Sequence, residues 1–178
     1  IKNNFKFTKK KVKADAIITD QKKLPIAVLT ADCVPILLHD NKKNIIAAIH
    51  AGWRGAFKGI IKKVINFMLI KGCKANSITA VIGPCIGTKN YEVDKIFERK
   101  FLKKNIEYNK FFRKKNKTKF FFNLRGLIKF QLKQLGLKKI HSVSLDTYNN
   151  ELLFFSHRRS IHKGEKSSGR LINIISFT

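Results

Sequence analysis

The sequence predicts an α/β fold of the layered α+β kind, a mixed sheet with packed helices, and three observations lead there. Apolar, β-rich runs occupy residues 14–19, 26–38 and 45–50, and they are continuous rather than alternating, as suits strands covered on both faces. Helix-period apolar faces follow Gly55 and Asn123. The tail returns to strand-like runs, and the order strands, helix, strand, helices, strands demands layers of both kinds.

Taken in order, residues 40–44 (Asp-Asn-Lys-Lys-Asn) supply a turn that folds 26–38 and 45–50 into a hairpin of buried strands. After Gly55, a helix carries Phe57, Ile60, Ile61, Val64, Ile65 and Met68 on one face, with Lys58, Lys62 and Lys63 opposite, and Gly72 stops it. Residues 77–82 form a short strand that ends in Gly83-Pro84-Cys85-Ile86-Gly87, whose glycines permit the close approaches found at a pocket edge. Residues 92–102 read as helix, with Val93, Phe97 and Phe101 on one side, and 105–122 as an irregular connection. Asn123 caps a further helix bearing Leu124, Leu127, Ile128, Gln131, Leu132 and Leu135, which Gly136 ends. Strands follow at 140–145, 152–156 and 171–177, separated by an Asn149-Asn150 turn and a polar loop at 157–170.

With 178 residues the chain has the length of one domain, 1–178. Its 44% hydrophobic and 28% charged content excludes wholesale disorder and collagen-like structure. No apolar run approaches the roughly 20 residues that span a bilayer, so neither a membrane anchor nor a signal segment is expected. The net charge of +27 would ordinarily direct attention to nucleic acid. Here, however, only 7 of the 38 basic residues are Arg, and the lysines are scattered, whereas phosphate and base recognition favours Arg forks. Specific nucleic-acid binding is therefore not expected. Three cysteines, Cys33, Cys73 and Cys85, form no C-x-x-C pair and fit a reducing cytoplasm.

Thr30-Ala31-Asp32-Cys33-Val34-Pro35 sets a cysteine inside an apolar run and follows it with a proline, which marks a bulge or an edge. A hairpin folding near residue 42 leaves Cys33 nine and His50 eight residues from the turn, side by side. A thiol and an imidazole so placed suit a nucleophilic Cys/His pair or two ligands of one metal ion. They equally suit an inert buried cysteine and a hydrogen-bonded histidine. Arg54, at a helix start, is a candidate anion holder, with an ordinary surface charge as the alternative.

Four motifs in order carry a family resemblance: Thr30-Ala31-Asp32-Cys33-Val34-Pro35-Ile36-Leu37; His50-Ala51-Gly52-Trp53-Arg54-Gly55; Ile82-Gly83-Pro84-Cys85-Ile86-Gly87 with Tyr91-Glu92-Val93; and Phe155-Ser156-His157-Arg158-Arg159 with Gly169-Arg170. Together they resemble the YfiH family, long labelled multicopper polyphenol oxidase or laccase-like and now associated with purine nucleoside phosphorylase and adenosine deaminase activity. The resemblance implies a layered domain similar in fold to cysteine-dependent toxin deamidases. It also implies one zinc held by a Cys and two His, of which Cys33 and His50 match one each.

The other histidine of that family lies in an upstream Gln-Val-His segment, which this sequence lacks; its first histidine, His39, falls after the Cys33 run. The expectation is a chain truncated at its N-terminus. Late in the chain the family often shows Cys-Thr where Asp146-Thr147 stands here.

By resemblance, then, the chain is a cytoplasmic zinc enzyme that phosphorolyses adenosine, inosine and methylthioadenosine and deaminates adenosine. Its partners would be purine nucleosides and phosphate, with Cys33 and His50 at the metal and catalytic centre. An open zinc position lowers the pKa of water to about 7, which suits attack at C6 of adenosine. Phosphate falls to Arg54 first, then to Arg159 and Arg170. Trp53 and Tyr91 are candidates to stack on a purine, with core aromatics as the alternative. Copper is the alternative metal, although one Cys and one or two His cannot build the several centres of a laccase. Two rival readings stand beside this one: a hydrolase of cell-wall precursors with Cys33 as nucleophile and His50 as base, and a non-catalytic, degenerate copy that binds polyanions.

Overall fold

The computed structural model describes residues 13–178. Its centre is a five-stranded mixed sheet built from β1 (Ala16–Thr19), β3 (Val34–Asp40), β4 (Ile45–Ala51), β5 (Ile78–Ile82) and β9 (Lys139–Ser142). The spatial order is β1-β4-β3-β5-β9, antiparallel except between β5 and β9. β2 (Ile26–Thr30) and β10 (Leu171–Ile175) pair antiparallel as a separate ribbon. The expected mixed sheet with packed helices is therefore present, and β4 shows why its run is continuously apolar. Ile45, Ala47, Ile49 and Ala51 enter the main core, whereas Ile46 and Ala48 meet Ile26 and Val28 of the ribbon on the opposite face. No helix among the described residues is long and apolar enough to cross a membrane.

The run 26–38, read as one strand, is in fact two. Asp32 adopts φ 76°, and this left-handed turn sends β2 into the ribbon and β3 into the main sheet. The expected hairpin closes as β3 and β4, with Pro35 opposite His50.

The single helix after Gly55 is likewise two, α1 (Trp53–Lys58) and α2 (Ile60–Ile70), separated by Gly59 at φ 80°. Ile61, Val64, Ile65 and Met68 of α2 and Leu124, Leu127, Ile128 and Leu132 of α4 (Leu124–Gln134) bury their faces in the main core. Asn123 caps α4 as its sequence predicts, accepting from Gly126 N–H at 2.8 Å.

Residues 92–122 depart from the reading. Glu92–Asp94 is a strand, β6, and Asp94 caps α3 (Lys95–Lys104), accepting from Phe97 N–H at 2.7 Å. The stretch read as irregular holds a 3₁₀ segment, Ile106–Phe111, and two further strands, β7 (Phe112–Lys114) and β8 (Lys119–Phe122), in a sheet of order β6-β8-β7. Phe97, Phe101, Phe112 and Phe122 pack there with ring centroids 4.7 to 6.2 Å apart, so the aromatics supply the order that the Lys- and Asn-rich composition conceals. Two tail assignments also change. The residues read as a strand at 152–156 turn back with Leu152 and Leu153 exposed, and the polar loop opens as a helix, α5 (His157–His162), because Ser156 caps it by accepting from Arg159 N–H at 3.1 Å.

Candidate functional site

The turn at Asp32 and the start of α1 bring Cys33 and His50 together. Both converge on Gly52: a Cβ there would lie 2.8 Å from Cys33 Sγ and 3.9 Å from His50 Nε2. A small cavity of about 260 Å³ is lined by Asp15, Cys33, His50, Trp53 and Arg54. Asp15, just before β1, accepts from His50 Nδ1 at 3.0 Å, which directs the free Nε2 lone pair toward that space.

Cys33 and Trp53 also line a larger cavity of about 480 Å³, so the two spaces share these two side chains. Its walls include Tyr91, Phe97, Leu124, His157 and Arg158. Arg158 sits 5.6 Å above the Tyr91 ring and donates from Nη1 to the Glu92 carbonyl at 3.1 Å. Burial raises the Tyr91 hydroxyl well above its ordinary pKa, so it stays a neutral donor.

Asp32 locks this arrangement. Its buried carboxylate accepts from Thr147 Oγ1 at 2.7 Å, Ser156 Oγ at 3.0 Å and Arg158 N–H at 2.6 Å, while its carbonyl accepts from Ile86 N–H at 3.1 Å. One residue thus ties the Cys33 turn to the Gly83–Gly87 loop and to the start of α5. Asp146 holds the other side of that loop, accepting from Gly87 N–H at 2.8 Å and Asn90 Nδ2 at 2.6 Å. Burial pushes the Cys33 thiol up to about 11, reinforced by Asp32, Cys85 and Asp15 and opposed by Arg170.

The sequence-predicted residues separate into two groups. Arg54 lies at the small cavity, exposed, its guanidinium 5.2 Å from the Trp53 ring centroid. Arg170 is near enough to act on the Cys33 thiol, while its Nη1 donates to the Ser168 carbonyl at 2.6 Å and the Gly169 carbonyl at 3.0 Å. Arg159 is not brought to the cavities. Its guanidinium donates to the carbonyls of Thr147, Tyr148 and Phe154 at 2.5 to 2.8 Å, clamping the turn that precedes α5. His39 packs on Phe177 with ring centroids 6.5 Å apart, and His162 meets Tyr148 Oη at 2.8 Å.

Asp15, Asp32 and Arg158 are the residues that sequence reasoning passed over. Pairing of Ala16 with Ile49 sets Asp15 beside His50, and an acid next to a cysteine within an apolar run was a readable sign for Asp32. Nothing local separates Arg158 from Arg159 until α5 exists.

The donor set bears directly on metal binding. Cys33 Sγ and His50 Nε2 offer one soft and one borderline ligand in one cavity, a pairing that zinc accepts. Among the described residues, however, no group of three His, Cys, Asp or Glu side chains is arranged to hold a metal ion. The described residues therefore bring two side chains of metal-binding type together, Cys33 and His50, without a third beside them.

Comparison with known proteins gives this arrangement its relatives. The family model described as multi-copper polyphenol oxidoreductase laccase matches residues 2–178. A purine nucleoside phosphorylase of Rickettsia conorii is 39% identical over 163 residues, which are 91% of this chain and 67% of that protein. One from Campylobacter jejuni is 31% identical over 171 residues, 93% of this chain and 68% of that protein. Among solved structures, the hypothetical protein YfiH of Bacillus licheniformis superposes with a TM-score of 0.84 at 30% identity, covering 92% of this chain and 61% of its own. YlmD of Geobacillus stearothermophilus gives 0.80 at 26% identity, with 92% and 60% covered. The chain thus spans about two thirds of the curated relatives' length and less of the solved structures'. With nearly its whole length matched, the chain belongs to the YfiH family, which carries the description multi-copper polyphenol oxidoreductase laccase.

Proposed function

We propose that the chain, acting as one domain over residues 1–178, serves in purine nucleoside phosphorolysis in the cytoplasm, with adenosine, inosine and methylthioadenosine as substrates and adenosine deamination as a second activity. The observation that carries this reading is the convergence of Cys33 Sγ and His50 Nε2 on Gly52, in a cavity that shares Cys33 and Trp53 with the one lined by Tyr91 and Arg158. The names of the Rickettsia and Campylobacter relatives supply the reaction class.

In this reading the purine lies against Tyr91 and Trp53 in the larger cavity, whose wall includes Arg158, and phosphate is held by Arg54 at the smaller one and by Arg170, whose charge acts on the Cys33 thiol. A phosphate oxygen forms the new bond to C1′ while the glycosidic electron pair leaves with the purine, which takes up a proton. Cationic side chains lower the barrier by holding the attacking anion in line. Arg159 serves at one remove, keeping the turn before α5 in place. Cys33 and His50 would be two ligands of a zinc ion, with copper the alternative, and a third donor must come from beyond the described residues. When bound, such an ion supplies Lewis acidity for the deamination.

The hydrolase reading with Cys33 as nucleophile gains no support from the thiol, which burial holds protonated at neutral pH rather than as the reactive thiolate. Metal content and turnover of inosine with phosphate and of adenosine, read for this chain and for the product of its whole open reading frame, test the proposal. Hypoxanthine with ribose 1-phosphate, and about one zinc in whichever product is active, are expected. If neither product forms hypoxanthine or deaminates adenosine with metal supplied, the reading fails.

A further inference from the structure

Phosphorolysis needs a proton at the leaving purine. When the C1′–N9 bond breaks, its electron pair stays on the base, and a base protonated at N7 departs neutral instead of as an anion. The donor has to share a cavity with the purine, which in the phosphorylase reading is the larger one, and it has to hold a proton that it can release.

Most ionisable side chains of that cavity are engaged elsewhere. The Asp32 carboxylate already accepts from Thr147, Ser156 and Arg158, and Asp94 accepts from Phe97 N–H as the cap of α3. Glu92 pairs with Lys115 and, at 3.8 Å, with Lys119, and the hydrogen bond from Lys115 holds its carboxyl below the usual range, so it carries no proton to give. Burial raises the Tyr91 hydroxyl, which keeps its proton, and the guanidinium of Arg158 does not release one. Cys33 belongs to the metal centre in the same reading.

His157 is left. It lines the cavity together with Arg158 and Tyr91, and histidine is the side chain that both holds and releases a proton near neutral pH. His50 and His162 have ring partners in Asp15 and Tyr148, and His39 packs on Phe177, whereas among the described residues no hydrogen bond engages the ring of His157. Its backbone, by contrast, is fixed on both sides, since Ser156 Oγ and Arg158 N–H donate to Asp32 at 3.0 and 2.6 Å. A free imidazole on a fixed backbone, exposed to solvent that can reload it, is the arrangement a proton donor needs.

We propose that His157 is the general acid of phosphorolysis, a role that rests on the phosphorylase reading. A phosphate oxygen bonds to C1′, the C1′–N9 bond breaks with its electron pair on the purine, and the imidazolium proton of His157 passes to N7. The base leaves neutral, and the imidazole takes its next proton from solvent.

Inosine and 7-methylinosine, whose N7 is already methylated and needs no proton, separate this role from others. The product of the whole open reading frame, with zinc supplied, is assayed with phosphate and each nucleoside, as the parent and as His157→Gln, which keeps an N–H to hydrogen-bond but has no proton to release. In the variant, kcat/KM for inosine should fall by about 100-fold or more, and that for 7-methylinosine should stay near the parent's. The two proteins should melt together, because the His157 side chain is exposed. Equal losses on both nucleosides would assign His157 to binding or shape, and an unchanged inosine rate would remove it from the reaction; either overturns the proposal. A parent that cleaves neither nucleoside would instead sink the phosphorylase reading, and the acid with it.

Discussion

Asp15 holds His50 twice: its carbonyl accepts from the His50 backbone N–H at 2.8 Å, and its carboxylate accepts from Nδ1 at 3.0 Å. The first bond continues the pairing of β1 with β4, and the second selects the tautomer whose Nε2 faces Cys33. Because the Asp15 side chain is 63% exposed, its removal should move the melting temperature little. On the proposed function, with His50 a metal ligand, Asp15→Ala is expected to lower kcat/KM for nucleoside phosphorolysis by about 10- to 100-fold, as loss of a ligand-orienting carboxylate does. Partial recovery in Asp15→Asn, which keeps an acceptor, would mark orientation as the cause. Unchanged kinetics in Asp15→Ala would remove this residue from the site.

Gly52 offers a sharper separation of function from stability. Its φ of −73° is open to any residue, so alanine brings no backbone strain. The added methyl, however, would lie 2.8 Å from Cys33 Sγ, inside contact distance, and 3.9 Å from His50 Nε2. Gly52→Ala should therefore fold normally by circular dichroism, lose activity by about 100-fold or more as the reacting groups are displaced, and bind less metal. Full activity in this variant would show that the space between Cys33 and His50 is not used.

Much of the framework was legible because burial writes itself into runs and periods. The β3–β4 hairpin, the cap at Asn123 and the faces of α2 and α4 all follow from local chemistry, and so does the meeting of Cys33 with His50. What escaped depended on partners distant in the chain. Asp32 takes a left-handed turn because Thr147, Ser156 and Arg158 supply its hydrogen bonds from more than a hundred residues away. No local pattern announces that, so one strand was read where two exist. Residues 105–122 read as irregular since their order comes from stacking on Phe97 and Phe101, and Arg159 stands ahead of Arg158 in that reading because adjacent arginines are indistinguishable until α5 orients them.

Asp32 carries a stability prediction of its own. In Asp32→Asn the φ of 76° is tolerated, but one carboxylate oxygen becomes a donor facing other donors, so a loss of about 2 kcal/mol is expected. Asp32→Ala removes all three acceptor contacts and adds strain at positive φ, for about 3 to 5 kcal/mol. Denaturant unfolding of both variants checks the order. If Asp32→Ala were as stable as the parent, the knot joining Cys33 to α5 would be ornamental.

Asp40 sets the response to acid. It is fully buried at the end of β3, where it accepts from Lys42 and Lys43 N–H at 2.9 Å each and from Ser77 Oγ. Burial alone would raise its pKa, but the hydrogen bonds from Ser77, Lys43 and Lys42 outweigh it, and the carboxyl is held below its ordinary 3.8. A depressed carboxyl stabilises the fold fully above its unfolded pKa, and that contribution disappears as pH falls through the folded value. The parent should therefore lose stability below about pH 4, the range in which unfolded carboxyls take up protons. Asp40→Asn should be weaker than the parent by about 1 to 2 kcal/mol at neutral pH, with a shallower decline in acid. Melting curves from pH 7 to pH 2 decide it, and parallel pH dependence in the two proteins would mean that Asp40 does not govern the acid limb.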